Sequence, residues 1–194
     1  MPKRYVDADP RMLRAIAHPL RGALIYELHA RGASTATVLA AAVDAPVNSV
    51  SFHLRELAKY GLIERAPNAT GDGRQRWWQP AGREGLHIDM KQMLQTREGR
   101  AAFDVFRRYG AGWWHALVDR FFGPHEEGTG ELWAVNDVPM LLTKSEAAQY
   151  AEEMYAVMHR WVEHGQSTQP PEGEPRRTYL GLSMLMPHQT DLIS

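Results

Sequence analysis

With 194 residues, 44% of them hydrophobic and 23% charged, the chain has ordinary globular composition and length for one generous core or two small ones. The lack of cysteine excludes disulfides, thiolate zinc fingers and a cysteine nucleophile. The net charge of −1 hides an asymmetry: 12 Lys and Arg face 8 Asp and Glu up to Gly85, a surplus of +4, whereas 10 face 15 from Leu86 onwards, giving −5. That imbalance predicts an N-terminal half that attracts phosphate and a C-terminal half that does not. Met1 to Pro10 carries Lys3, Arg4, Asp7 and Asp9 with no apolar run behind them, and no later stretch approaches membrane-spanning length. No secretion signal is therefore expected, and a cytoplasmic protein is.

In chain order, Met12, Leu13, Ile16 and Ala17 recur at helical spacing before His18-Pro19, and Leu24, Ile25 and Leu28 form the stripe of a second helix that Arg31-Gly32 ends. Ser34 or Thr35 offers an N-cap for a third helix, whose Val38, Leu39 and Ala42 are expected to pack inward. Asp44-Ala45-Pro46 is turn chemistry. In the helix expected from Pro46 to Tyr60, Val50, Leu54 and Leu57 share one face while Asn48, Ser49, Ser51, Phe52 and Arg55 lie around the others. Asn and Arg can make paired hydrogen bonds to purine edges, and short hydroxyl side chains near a helix N-terminus tolerate close approach of phosphate or base. Gly61 is placed as a helix stop, Leu62 to Arg65 reads as a strand, Asn68 to Gly73 as a turn, and Arg74 to Trp78 as the returning strand. Helices followed by such a hairpin make a winged helix-turn-helix, with Arg74 and Arg76 able to reach a sugar-phosphate backbone or minor groove.

Four segments together resemble the arsenical-resistance-repressor type of winged-helix regulators, in its longer branch with an added C-terminal region. They are Ala17-His18-Pro19-Leu20-Arg21, Val50-Ser51 with His53-Leu54, Leu57 to Glu64, and Gly73 to Trp78. The resemblance covers roughly residues 11 to 80. It implies a homodimeric transcription factor whose helix at 46–60 enters the major groove, with Ser49, Ser51, His53 and Arg55 on DNA and Arg74 and Arg76 on the wing. His53 could equally bond a phosphate or brace the fold. Metal-sensing members carry cysteine pairs or Asp/His sets that this chain lacks, so metal sensing is not inherited.

Beyond Leu86, a brief alternation of Leu86, Ile88 and Met90 gives way to Ala102, Phe106, Tyr109, Trp113, Leu117 and Phe121 at spacings of three and four. They predict one long helix from about Glu98 to Phe122, able to bend at Gly110 and Gly112 and ended by Gly123-Pro124. Glu131 to Leu142 has strand character. Thr143-Lys144-Ser145-Glu146 matches a capping box opening a helix to about Glu163, in which Ala147, Ala151, Met154, Met158 and Trp161 repeat as a lengthwise seam. A Pro-rich hinge from Gln166 to Pro175 precedes an alternating closing strand from Leu180 to Met186.

The expected fold is mainly α with small β content, an α+β class: a DNA-binding winged helix-turn-helix at 1–85 and a dimerisation region at 86–194. The expected partners are double-stranded DNA and a second copy of the chain, since one short helix cannot supply genomic selectivity alone. Trp113, Trp133, Met154, Met158 and Trp161 could line a pocket for a small apolar effector, or form core and dimer seam. No cofactor, metal or catalytic group is expected: His159 and His164 miss the i,i+4 match of a helical metal pair, and no nucleophile-elbow or phosphate-loop motif occurs. The rival from another class is a winged helix turned protein-interaction module. It would keep the apolar positions without needing Asn48, Ser49, Arg55, Arg74 or Arg76.

Overall fold

The computed structural model describes residues 5–67, 75–82, 85–124, 132–136 and 138–187. It falls into two compact units, Met1–Trp133 and Ala134–Ser194. The first extends well past the boundary expected near residue 85.

Its helices begin where local chemistry places them. Asp9 caps α1 (Pro10–Ile16), its carboxylate accepting from the Met12 amide at 2.8 Å, with Pro10 supplying a preset φ in the first turn. Pro19 does the same for α2 (Pro19–Arg31), which Gly32 closes at φ 76°. The expected capping hydroxyl proves to be Thr35, which accepts from the Val38 amide at 3.3 Å and opens α3 (Ala36–Ala42). The inward face departs from expectation at one position: Leu39 is buried and Ala42 half-buried as expected, but Ala40 is buried and Val38 is 46% exposed. In a helix only two turns long, a change of phase of one residue, a rotation of about 100°, carries Val38 off the buried face, and the Ala-rich run does not set that phase.

After a turn in which Asp44 takes φ 48°, α4 (Val47–Lys59) brings Val50, Leu54 and Leu57 into the core, all fully buried. Gly61, at φ 71°, ends it in a Schellman arrangement, its amide donating to the Ala58 carbonyl at 3.0 Å and the Leu62 amide to that of Leu57 at 3.1 Å. The wing follows as β3 (Ile63–Arg65) and β4 (Trp77–Pro80), antiparallel with Arg65 opposite Trp78 and Glu64 opposite Gln79. β4 starts three residues later than the expected Arg74, and it is the central strand. Its other edge pairs with β2 (Ser34–Thr35), with Ser34 opposite Trp78. The turn at Asn68 to Gly73 and Arg74 lie outside the described residues. Trp78 is buried and Trp77 half-buried, so one indole joins the core.

Three short elements complete the unit. β1 (Val6–Asp7) pairs parallel with β5 (Leu86–His87), tying the approach to α1 to the exit from the wing, and Asp89 caps the one-turn α5 (Met90–Met93). The long helix is as expected: α6 (Arg97–Phe122) opens at Thr96, whose hydroxyl accepts from the Gly99 amide at 2.9 Å. It runs through Gly110 and Gly112 without interruption. The predicted stripe is its less exposed side, with Ala102 fully buried and Phe106, Tyr109, Trp113, Leu117 and Phe121 partly so. α6 packs along α1, which is why the unit does not end at the wing. Gly99 permits its close approach to α5, since a methyl there would overlap the backbone carbonyl oxygen of Met93. Gly99→Ala is therefore expected to lower the unit's stability by about 2 kcal/mol. Gly110→Ala meets nothing within 4 Å and should raise it by about 0.5 to 1 kcal/mol. Urea midpoints of the two variants, moving in opposite directions, check both.

In the second unit, α7 (Lys144–Ser167) begins with the predicted capping box. The Thr143 hydroxyl accepts from the Glu146 amide at 3.3 Å, and the Glu146 carboxylate accepts from the Thr143 amide at 2.7 Å, which holds the carboxyl below its ordinary pKa. No α7 residue is fully buried. The half-buried line passes through Ala147, Tyr150, Met154, Met158, Val162 and Gly165, leaving Ala151 exposed and Trp161 63% exposed. That line keeps the 3.6-residue turn of a straight helix, whereas the expected seam assumed the 3.5-residue repeat of a supercoil. Neither expected strand forms: among the described residues, those between 132 and 142 and those from 180 to 186 join no ladder, and their apolar side chains are exposed. Alternation marks a segment suited to a half-buried face but does not supply its pairing partner. No described helix is long and apolar enough to cross a membrane.

Candidate nucleic-acid interface

The surface of α4 is organised by its buried face. With Val50, Leu54 and Leu57 directed inward, helical geometry places Asn48, Phe52, Arg55 and Lys59 along the opposite meridian, and all four are exposed. Ser51 lies on one flank, and Ser49, His53 and Glu56 on the other, all half-buried. No side chain caps the helix start at Pro46, and the first turn carries no acid. The amides of that turn have no intrahelical acceptor, and the positive end of the helix dipole adds to their attraction for an anion. Asn48 sits in that turn.

His53 is turned toward the body of the unit. Its ring packs against His18, at the start of α2, with centroids 4.7 Å apart, and meets Phe52 edge-on at 5.3 Å. Nδ1 of both histidines and Nε of Arg21 are buried without a hydrogen-bond partner. Burial, and then the Arg21 charge, push the His18 pKa below the ordinary 6.5. For His53 burial again leads, followed by His18 and Arg21, with Glu56 pulling the other way. Folding thus favours neutral rings, and the stability so gained is present above pH 6.5 and lost as the pH falls toward the depressed folded values. The thermal midpoint is expected to drop between pH about 7.5 and about 5.5. It should drop less in a His18→Gln/His53→Gln double variant, and an equal drop in both would refute this origin.

The wing contributes a second cationic group. Arg76 is exposed at the entry to β4. Arg65, at the end of β3, lays its guanidinium over the Trp78 ring at 3.7 Å. Burial, and secondly the repulsion of the like charge on Arg76, lower the Arg65 pKa. A phosphate between them would relieve that repulsion. The signal for Arg65 was available: it is the last residue of a strand whose partner carries Trp77-Trp78.

The expected effector residues divide between the units. Trp113 stacks on Tyr26 of α2 at 5.8 Å and Trp133 meets Phe121 at 5.9 Å, all within the first unit, while Met154, Met158 and Trp161 are on α7. Among the described residues, no group of three or more His, Asp or Glu converges as a metal site.

A family described as a helix-turn-helix domain matches residues 16–66, the span from the end of α1 through β3. No curated protein matches the chain significantly. Among solved structures, the chain is similar to a fragment from Mycobacterium bovis, described as the homodimeric winged helix-turn-helix DNA-binding domain of a possible ArsR-family transcriptional regulator. The identity is 20%, the coverage 60% of this chain and 83% of that one, and the TM-score 0.32. Residues 16–66 form a helix-turn-helix domain, and β3 and β4 make it a winged one, as the resemblance to the arsenical-resistance-repressor type implies.

Proposed function

From a helix-turn-helix domain backed by a β hairpin, we propose that the protein is a homodimeric, sequence-specific DNA-binding transcriptional regulator of the cytoplasm. α4 enters the major groove, and the wing lies on the backbone or in the minor groove. The observation that carries the reading is the outward meridian of α4, which offers Asn48, Arg55 and Lys59 and no acid. Ser49 and Ser51 serve backbone or base contacts on its flanks. Arg74, Arg76 and now Arg65 neutralise phosphate. Of the two roles open to His53, a phosphate bond or bracing of the fold, its ring contact with His18 supports the bracing of α4.

Two half-sites require two readers, and the second copy is supplied through exposed apolar surface in the C-terminal half, where Phe122 is 74% exposed and α7 buries none of its residues. The same reading keeps an apolar effector that shifts the dimer between binding states, met by Trp113 and Trp133 in the first unit or, separately, by Met154, Met158 and Trp161 on α7.

The test is the salt dependence of binding to duplex DNA from the gene's own upstream region. Log affinity should fall steeply and linearly with log salt, and the slope should lessen by about 1 for each phosphate contact removed by Arg74→Ala or Arg76→Ala. Absence of salt-sensitive duplex binding at low salt would transfer the fold to protein interaction.

A further inference from the structure

We propose that Phe52 reads thymine, its ring covering the 5-methyl group of a T·A pair in the major groove; this rests on α4 being the helix that enters that groove. Of the other large apolar residues of α4, Val50, Leu54 and Leu57 are fully buried and Val47, 42% exposed, stands at the helix start off the outward meridian, whereas Phe52 is 53% exposed at the centre of that meridian. A single exposed apolar side chain is common on protein surfaces, so exposure alone decides little. Its setting decides more.

Asn48 lies one turn before Phe52 and Arg55 one turn after, both exposed and both suited to purine edges, with Lys59 beyond. No acid shares that line, so the face complements a polyanion. The ring is braced on one flank by the edge-on contact with His53, itself held against His18. Phe52 has neither donor nor acceptor. Pressed against the N7, O6, N6 or N4 positions of a base edge, it would strip water from polar atoms and return nothing. The thymine methyl is the apolar group that the major groove displays, and there the same ring removes apolar surface from water. An Asn48 contact to adenine and a Phe52 contact to thymine can come from neighbouring base pairs, so the two preferences agree.

The test starts from duplexes enriched by the full-length protein from a random pool, then resynthesised with deoxyuridine replacing thymine one position at a time. Uracil keeps every hydrogen-bonding group and loses only the methyl. The expected result is a fall in affinity of about fourfold at one thymine and its symmetry mate, with unchanged affinity elsewhere. The Phe52→Ala protein should bind the thymine and uracil duplexes alike. The proposal is overturned if the wild type tolerates uracil at every position, a comparison that needs no variant. It is equally overturned if Phe52→Ala keeps the discrimination, or if the substitution changes the oligomeric state in place of the discrimination. If the pool yields no enriched sequence at all, DNA reading by α4 fails first and the thymine assignment falls with it.

Discussion

Leu54→Ala is expected to destabilise the first unit by about 3 kcal/mol and to abolish DNA binding as a consequence. Leu54 is fully buried on the inner face of α4, which packs on both α2 and α3. Its truncation loses the transfer free energy of the missing atoms and leaves a cavity that surrounding helices and the short wing sheet can only partly close. Domains of this kind have a total stability of only about 5 to 15 kcal/mol, so such a loss takes up a large share of it. The damage is also local, because Leu54 lies between Phe52 and Arg55. Any settling of α4 into the cavity shifts the outward meridian relative to Arg65 and Arg76. Thermal and urea unfolding measure the first effect, and anisotropy with labelled duplex at low temperature, where the variant is still folded, measures the second. Val38→Ala is the control. With Val38 46% exposed, its loss should cost no more than about 0.5 kcal/mol, and a cost near that of Leu54→Ala would show that the inward face of α3 is the one its sequence pattern suggested.

That contrast between Leu54 and Val38 shows where the chain could be read directly. The thirteen residues of α4 span several turns, so Val50, Leu54 and Leu57 fix the helical phase and with it the outward positions of Asn48 and Arg55. The capping chemistry of Thr35 and Thr143 and the left-handed Gly61 are local events with strong residue preferences, and each lies where its chemistry placed it. What escaped depends on contacts distant in sequence. β1, β2 and β5 have two residues each, too few for any alternation, and exist only because β4 or a partner strand lies alongside. The segments before and after α7 show the converse, with good alternation and, among the described residues, no strand alongside. On α4, residue type and helical phase marked Asn48 and Arg55 as outward-facing, but not that His53 would turn toward His18 or that Arg65 would lie over Trp78. Those are facts of packing.

Arg55 should discriminate between two ways in which a cationic residue supports DNA binding. Arg55→Ala is expected to weaken binding to the preferred duplex by about 10- to 100-fold, the worth of one bidentate contact to a guanine edge, while changing binding to unrelated duplex far less. Arg76→Ala, by contrast, should lower affinity for both almost equally, because a phosphate contact carries no sequence information. Arg55→Lys separates charge from geometry. The lysine keeps the cation, and hence the salt slope, but lacks the planar fork that matches O6 and N7 of guanine, so its specificity ratio should fall toward that of the alanine variant. Arg55 is exposed and remote from the buried face of α4, which makes these substitutions unlike Leu54→Ala in leaving the unfolding midpoint nearly unchanged. If Arg55→Lys preserved the specificity ratio as well as the slope, Arg55 would be acting on phosphate, and the base-reading part of the meridian would contract to Asn48 and Phe52.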